Sequence, residues 1–165
     1  MSFLIRRINR AKWDILISDD VSADAITSCL KTFQNDLSVW YISNITDIEN
    51  AILALITGSK QSSLSTLHVI ILEEERLICE NLDLYNTDGD TVVKSLISTH
   101  RDISQLNYKK LGQIKNLILD CISTNKIALF TKKQQKDILT DALTNGKLNL
   151  GDLNTELVER EKLKF

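Results

Sequence analysis

Leu67-His68-Val69-Ile70-Ile71-Leu72 is the stretch on which the reading of the fold turns. It is apolar except for His68, three of its residues are β-branched, and it lacks the apolar–polar alternation of a strand with one wet face. Such a run marks a strand covered on both sides. Upstream, Leu37–Ile42 (LSVWYI) is rich in β-favouring residues and reads as another strand. Between the two, Thr46-x-x-Glu49 has the form of a capping box, and the apolar helix it would open stops at Gly58. A strand, a helix and then a doubly covered strand predict a crossover connection, and with it a partly parallel sheet. Farther back, Ser22 is expected to cap a helix reaching about Lys31. Asp14–Ser18 reads as a short strand and Ser2–Ile8 as an opening one.

Downstream the character changes. Asn86-Thr87-Asp88-Gly89-Asp90 reads as a turn and Thr91–Thr99 as a short helix. From Ser104 to Thr124, Leu111, Ile114, Leu117, Ile118, Cys121 and Ile122 recur at helical spacing. Thr131-x-x-Gln134 opens a further helix that Gly146 ends, and a last one spans about Asp152–Lys162. The expected fold is α/β (or α+β) in a single domain, 1–165. Residues 1–100 would hold a small mixed, partly parallel sheet with its helices, and residues 101–165 a helical portion packed on it.

With 165 residues, 43% of them hydrophobic and 25% charged, the chain can bury a core without staples. No apolar run approaches the ~20 residues of a spanning helix, and no stretch of ~7–15 apolar residues follows the basic start. The expectation is a cytoplasmic protein with no membrane partner. The net charge of −2 conceals a gradient. Arg6, Arg7, Arg10 and Lys12 open the chain without an acid, residues 13–100 hold 14 acids against 4 bases, and residues 101–165 hold 12 bases against 8 acids. Charge separated in this way bears on partners and association rates rather than on fold.

Two motifs carry resemblances. His100-Arg101-Asp102-Ile103, with Asn107 beyond it and Asp120 farther on, resembles the catalytic loop of protein kinases. The rest of that machinery is missing, because the first glycine is Gly58 and Asp120 is followed by Cys121-Ile122. The order Asp14–Asp20, helix, strand, helix, Leu67–Glu73 resembles the front of a response-regulator receiver domain. Asp19 and Asp20 would then be its acidic pair, but the phospho-acceptor position holds Glu73, so the resemblance implies a degenerate receiver-like domain at most.

Acids nonetheless collect where the carboxyl ends of parallel strands would open: Asp19, Asp20, Glu73, Glu74, Glu75, Asp88 and Asp90. Such oxygen donors suit Mg²⁺, and they define the enzymatic alternative, a small metal-assisted hydrolase or nuclease. No Walker loop and no Gly-x-Ser-x-Gly occurs, and His68 and His100 stand too far apart in sequence for a zinc pair. No catalytic residue, cofactor or metal ligand is therefore assigned. Lys132, Lys133 and Lys136 open one helix, but the helix after it balances Glu156, Glu159 and Glu161 against Arg160, Lys162 and Lys164. Nucleic acid is not the expected partner. By elimination the chain reads as a non-enzymatic protein-interaction module, an accessory, regulatory or immunity-type protein that binds a larger partner.

Cys29, Cys79 and Cys121 are scattered among apolar neighbours with no C-x-x-C pair, the pattern of reduced thiols. Thiol titration of denatured protein purified without reductant should give three per chain. Fewer would show that one of the three is engaged.

Overall fold

The computed structural model describes residues 1–14, 16–17 and 20–163. In chain order, β1 (Phe3–Ile8) leads through one helical turn, α1 (Arg10–Trp13), to a short strand pair, β2 (Leu16–Ile17) and β3 (Asp20–Val21). α2 (Ala23–Cys29) follows, capped as expected by the Ser22 hydroxyl, which accepts from the Ala25 N–H at 3.3 Å. Next come β4 (Leu37–Ile42), α3 (Ile48–Ile56), β5 (Leu67–Glu73), α4 (Glu74–Cys79) and β6 (Asp83–Asn86). A 3-10 turn at Lys94–Thr99 precedes β7 (His100–Ser104), α5 (Tyr108–Ser123), β8 (Ile127–Phe130), α6 (Lys132–Thr144) and α7 (Thr155–Glu161).

Six strands form one sheet in the order β6-β7-β4-β1-β5-β8, and every neighbouring pair is antiparallel. This corrects the partly parallel sheet. β4 and β5 do run in the same direction and are joined through α3, as the sequence implied. They never touch, because β1 lies between them and bonds to both, with Ile5 opposite Trp40 on one side and Ile71 on the other. β7 and β8, joined by α5, likewise share a direction with β4, β1 and β5 between them. The helical portion, residues 101–165, is also corrected. β7 and β8 carry this part of the chain into the sheet, and Leu139 and Leu157 pack in one cluster with Ile5, Trp40 and Ile52. His-Arg-Asp-Ile-Ser hid β7 because its polar residues break the apolar pattern, although Ile103 is fully buried.

Alternation sorts the side chains into two cores. Ile5, Trp40, Ile42, Leu67 and Val69 face α3, α6 and α7, while Leu4, Ile8, Leu37, Val39, Ile70, Leu72 and Ile103 face α2, α4 and α5. Val69 and Ile70 are adjacent and both fully buried, so β5 is covered on both faces as its composition required. Among the described residues no helix is long and apolar enough to cross a membrane. The capping signals divide. Thr131 and Gln134 form their box, and Gly146 ends α6 at φ +66°. Thr46 caps nothing, because the Asn44 side chain takes the Thr46 N–H (3.1 Å) and starts a 3-10 turn that delays α3 to Ile48.

The last helix is tied down by a buried acid. Glu161, 4% exposed, accepts from the Leu64 N–H (3.1 Å) and pairs with Lys132 (2.9 Å), while its main-chain oxygen takes Lys136 (2.7 Å). Burial raises the Glu161 pKa, but Lys132, the Leu64 N–H and the charge of Lys136 together bring it below the usual glutamate value. A depressed pKa stabilises the fold at pH values above the unfolded ~4.3, and that contribution is lost as the pH falls through the lower folded value. Glu161→Gln should cost about 1–3 kcal/mol at pH 7. Its urea midpoint should also fall less steeply than that of the wild type below about pH 4; parallel curves would contradict this role.

Candidate functional site

The expected acidic locus does not form. Asp19 lies outside the described residues. Asp20 pairs with Lys115 of α5 (2.8 Å), whose hydrogen bonds lower its pKa. Glu73 pairs with Lys126 (2.6 Å) and Glu74 accepts from the Ser2 hydroxyl, whereas Glu75 and Asp88 face solvent. Asp90 takes the Ser59 N–H (3.0 Å) and hydroxyl (2.9 Å). Among the described residues no three His, Cys, Asp or Glu side chains could share a metal ion. The cause is topological. In an antiparallel sheet neighbouring strands end at opposite edges, so Glu73 at the end of β5 stands beside Phe3, while the end of β1, Ile8, stands beside His68. The receiver-like arrangement loses its basis for the same reason, since it needs parallel neighbours. The kinase-like triplet is part of β7, not a loop, and Asp102 accepts from the Ser38 hydroxyl (3.1 Å).

Two other features emerge from the residues upward. The first is a cleft inside the sheet. The β1–β5 ladder runs from Phe3–Glu73 to Ile8–His68, but the β1–β4 ladder stops at Ile5–Trp40. β4 stays paired with β7 down to Leu37–Ile103, so β1 and β4 part from Arg6 onward. The opening holds about 580 Å³ and is lined by Arg6, Arg7, Asn9, Ser38, Trp40 and His68 among others. The Arg6 guanidinium bridges it, donating through Nε (3.0 Å) and Nη2 (2.7 Å) to the Cys29 carbonyl at the end of α2, and through Nη1 (2.5 Å) to the Ser38 carbonyl. Desolvation pushes the Arg6 pKa down to about 10, against the opposing pull of Cys29 and Asp102. A second cavity of about 300 Å³ shares Ser38, Trp40 and Leu55 and continues past Lys60, Asp90 and His100.

Trp40 is the fixed wall of both cavities. The His100 ring meets it edge-on, with centroids 5.1 Å apart at 74°. Thr87 Oγ1 lies 2.7 Å from His100 Nδ1, and burial lowers the His100 pKa, which favours the neutral imidazole. Gly89 presses on the other side. A Cβ there would overlap the indole and come within 2.8 Å of the His100 Cβ.

The second feature is an aromatic corner. Phe33 and Asp36 exchange main-chain hydrogen bonds (3.1 and 3.0 Å) around Gln34 and Asn35, at φ +54° and +67°. This two-residue turn with both central φ positive has the type I′ geometry, taken here without a glycine. The Leu106 N–H donates to the Asn35 carbonyl (2.9 Å) and docks the turn on the β7–α5 connection, where Gln105 also holds φ +55°. Phe33 on the turn is 77% exposed, Tyr85 on β6 49%, and Tyr108 at the start of α5 94%. No family model matches the chain, and neither a curated protein nor a solved structure matches it.

Neither feature was assigned from sequence. Arg6 and Arg7 registered only as part of a basic start, and the ladder break that exposes them leaves no mark in composition. Lys31–Asp36 holds neither glycine nor proline, so only Asn35-Asp36 hinted at a turn.

Gly89→Ala should destabilise the protein by about 1–3 kcal/mol and shift tryptophan fluorescence, because the indole must move. Gly112→Ala, in α5 where the new Cβ meets nothing within 4 Å among the described residues beyond its own stretch of helix, should stabilise by about 0.5–1 kcal/mol. Urea melts of the two variants check both signs.

Proposed function

We propose that the chain is a non-enzymatic protein-interaction module, an accessory, regulatory or immunity-type protein that binds a larger partner through its aromatic corner. The observation that carries this reading is the strained turn that presents exposed Phe33 and is held by the Leu106 N–H, two residues before exposed Tyr108 and next to Gln105, whose amide reaches the hydroxyl of exposed Tyr85. Holding a non-glycine residue such as Gln34 in the left-handed region costs about 1–2 kcal/mol, and a large aromatic left in water forgoes about 1.5–3 kcal/mol of burial. Such strain gathers where surrounding structure over-determines it, and aromatic anchors with a polar rim are the residues that dominate protein interfaces. Asp36, Lys109 and the Asp83–Lys110 pair (2.7 Å) supply that rim. The metal-dependent hydrolase or nuclease lacks a comparable support, because no three of the described acids come together and Asp20, Glu73, Glu74 and Asp90 are each bonded to a different partner.

The test is a paired capture from the native host. Wild type and Phe33→Ala/Tyr108→Ala are immobilised and the retained proteins compared by mass spectrometry. Truncation of two exposed side chains should leave stability within about 0.5 kcal/mol per site. A protein retained by the wild type and lost from the variant is expected, at about 2 kcal/mol or more for each anchor. Equal retention by both forms, or none by either, defeats the reading.

A further inference from the structure

We propose that the cleft between β1 and β4 is a binding site for a small organic oxyanion, a carboxylate or phosphate monoester with an apolar body, seated on the Arg6 guanidinium. The site is independent of the aromatic corner. Its geometry begins with the ladder break, since main-chain groups in the middle of a sheet are otherwise paired with a neighbouring strand. Here the Ser38 carbonyl is satisfied by a side chain, and the space left open has the volume of a small-molecule pocket, for which about 300–1,000 Å³ is typical.

The charge inside that space has no ion-pair partner in contact among the described residues. Arg6 donates three of its five N–H groups to two main-chain carbonyls, which fix its plane but cancel none of its charge. Among the described residues one N–H on each terminal nitrogen is left without an acceptor, and carboxylates and phosphates are the acceptors with which a guanidinium bonds most strongly. Among the described residues no carboxylate lies within ion-pair distance of Arg6. Asp102 accepts from the Ser38 hydroxyl and acts on Arg6 only from beyond ion-pair distance. A partly desolvated cation without a counter-ion is costly, and an entering anion relieves that cost. Arg7, on the rim, strengthens the preference for negative charge. Trp40, Ile5 and Leu55 give the same cleft an apolar wall, so inorganic ions alone would leave most of its surface unused.

The experiment titrates the full chain with adenosine 5′-monophosphate and with benzoate, each against its neutral twin, adenosine and benzamide, and with inorganic phosphate. Thermal melting and tryptophan fluorescence report binding. One or both organic anions should raise the melting temperature by several degrees at saturation while the neutral twins do not. Which of the two binds decides between phosphate and carboxylate. Arg6→Gln should weaken the dissociation constant at least tenfold, and Ser38→Trp, which fills the cleft and keeps the guanidinium, should abolish binding. If Arg6→Gln does not fold, Ser38→Trp decides alone. The proposal is overturned if neither organic anion outbinds its neutral twin, if inorganic phosphate binds as tightly as the organic anions, or if binding survives unchanged in a folded variant.

Discussion

The six-residue ladder between β1 and β5, from Phe3–Glu73 to Ile8–His68, is the constraint from which the rest of the structure follows. It inserts the chain's first strand between two strands that a helix connects, and so converts a crossover that would build a parallel pair into an all-antiparallel sheet. With β1 in the centre, Leu4 and Ile5 point to opposite faces and both are fully buried. Each face then needs its own helical layer, which the amphipathic helices α5 and α6 supply from opposite sides.

The same insertion decides where polar groups can meet. Alternating strand direction puts Glu73, the end of β5, and Ile8, the end of β1, at opposite edges of the sheet. The acids therefore scatter, Asp20 and Glu73 into single ion pairs of the kind that contributes little to stability, Glu74 and Asp90 to serines, and Glu75 and Asp88 to solvent. At the far edge β1 keeps its partner on one side only. Arg6 then does for the Ser38 carbonyl what a strand would otherwise do, and leaves a charged cleft in its place.

Much of this was legible in the sequence and some could not be. Leu37–Ile42 is a strand with the expected boundaries, Leu67–Leu72 one within a residue, and the Ser22 and Thr131 caps hold, because local propensity and capping are decided within a few residues. Helix α5 was visible in its spacing. β7 was not, since His100, Arg101 and Asp102 owe their strand conformation to partners at Leu37–Trp40 and Asp83–Asn86. Strand direction and the β1–β4 break lie beyond any local pattern, as both depend on which distant segment pairs with β1. The acidic locus failed for that reason and not through its residue types. The aromatic corner was hidden differently, in a turn whose positive φ values fall on Gln34 and Asn35 without a glycine to announce them.

A central strand made well before the partners on either side of it has a consequence for how the chain becomes a protein. During synthesis β1 leaves the ribosome about 60 to 70 residues before its β5 partners exist, and neither core can close until they arrive. Such sequence-distant pairing slows folding, because loop-closure entropy is lost before the contacts form. The chain contains no proline, so prolyl isomerisation adds no slow step of its own, and the search for β1's register sets the pace. Until then the edge of FLIRRI that β5 will cover stays open, and Arg6 and Arg7 are the charges that discourage it from pairing with another nascent chain.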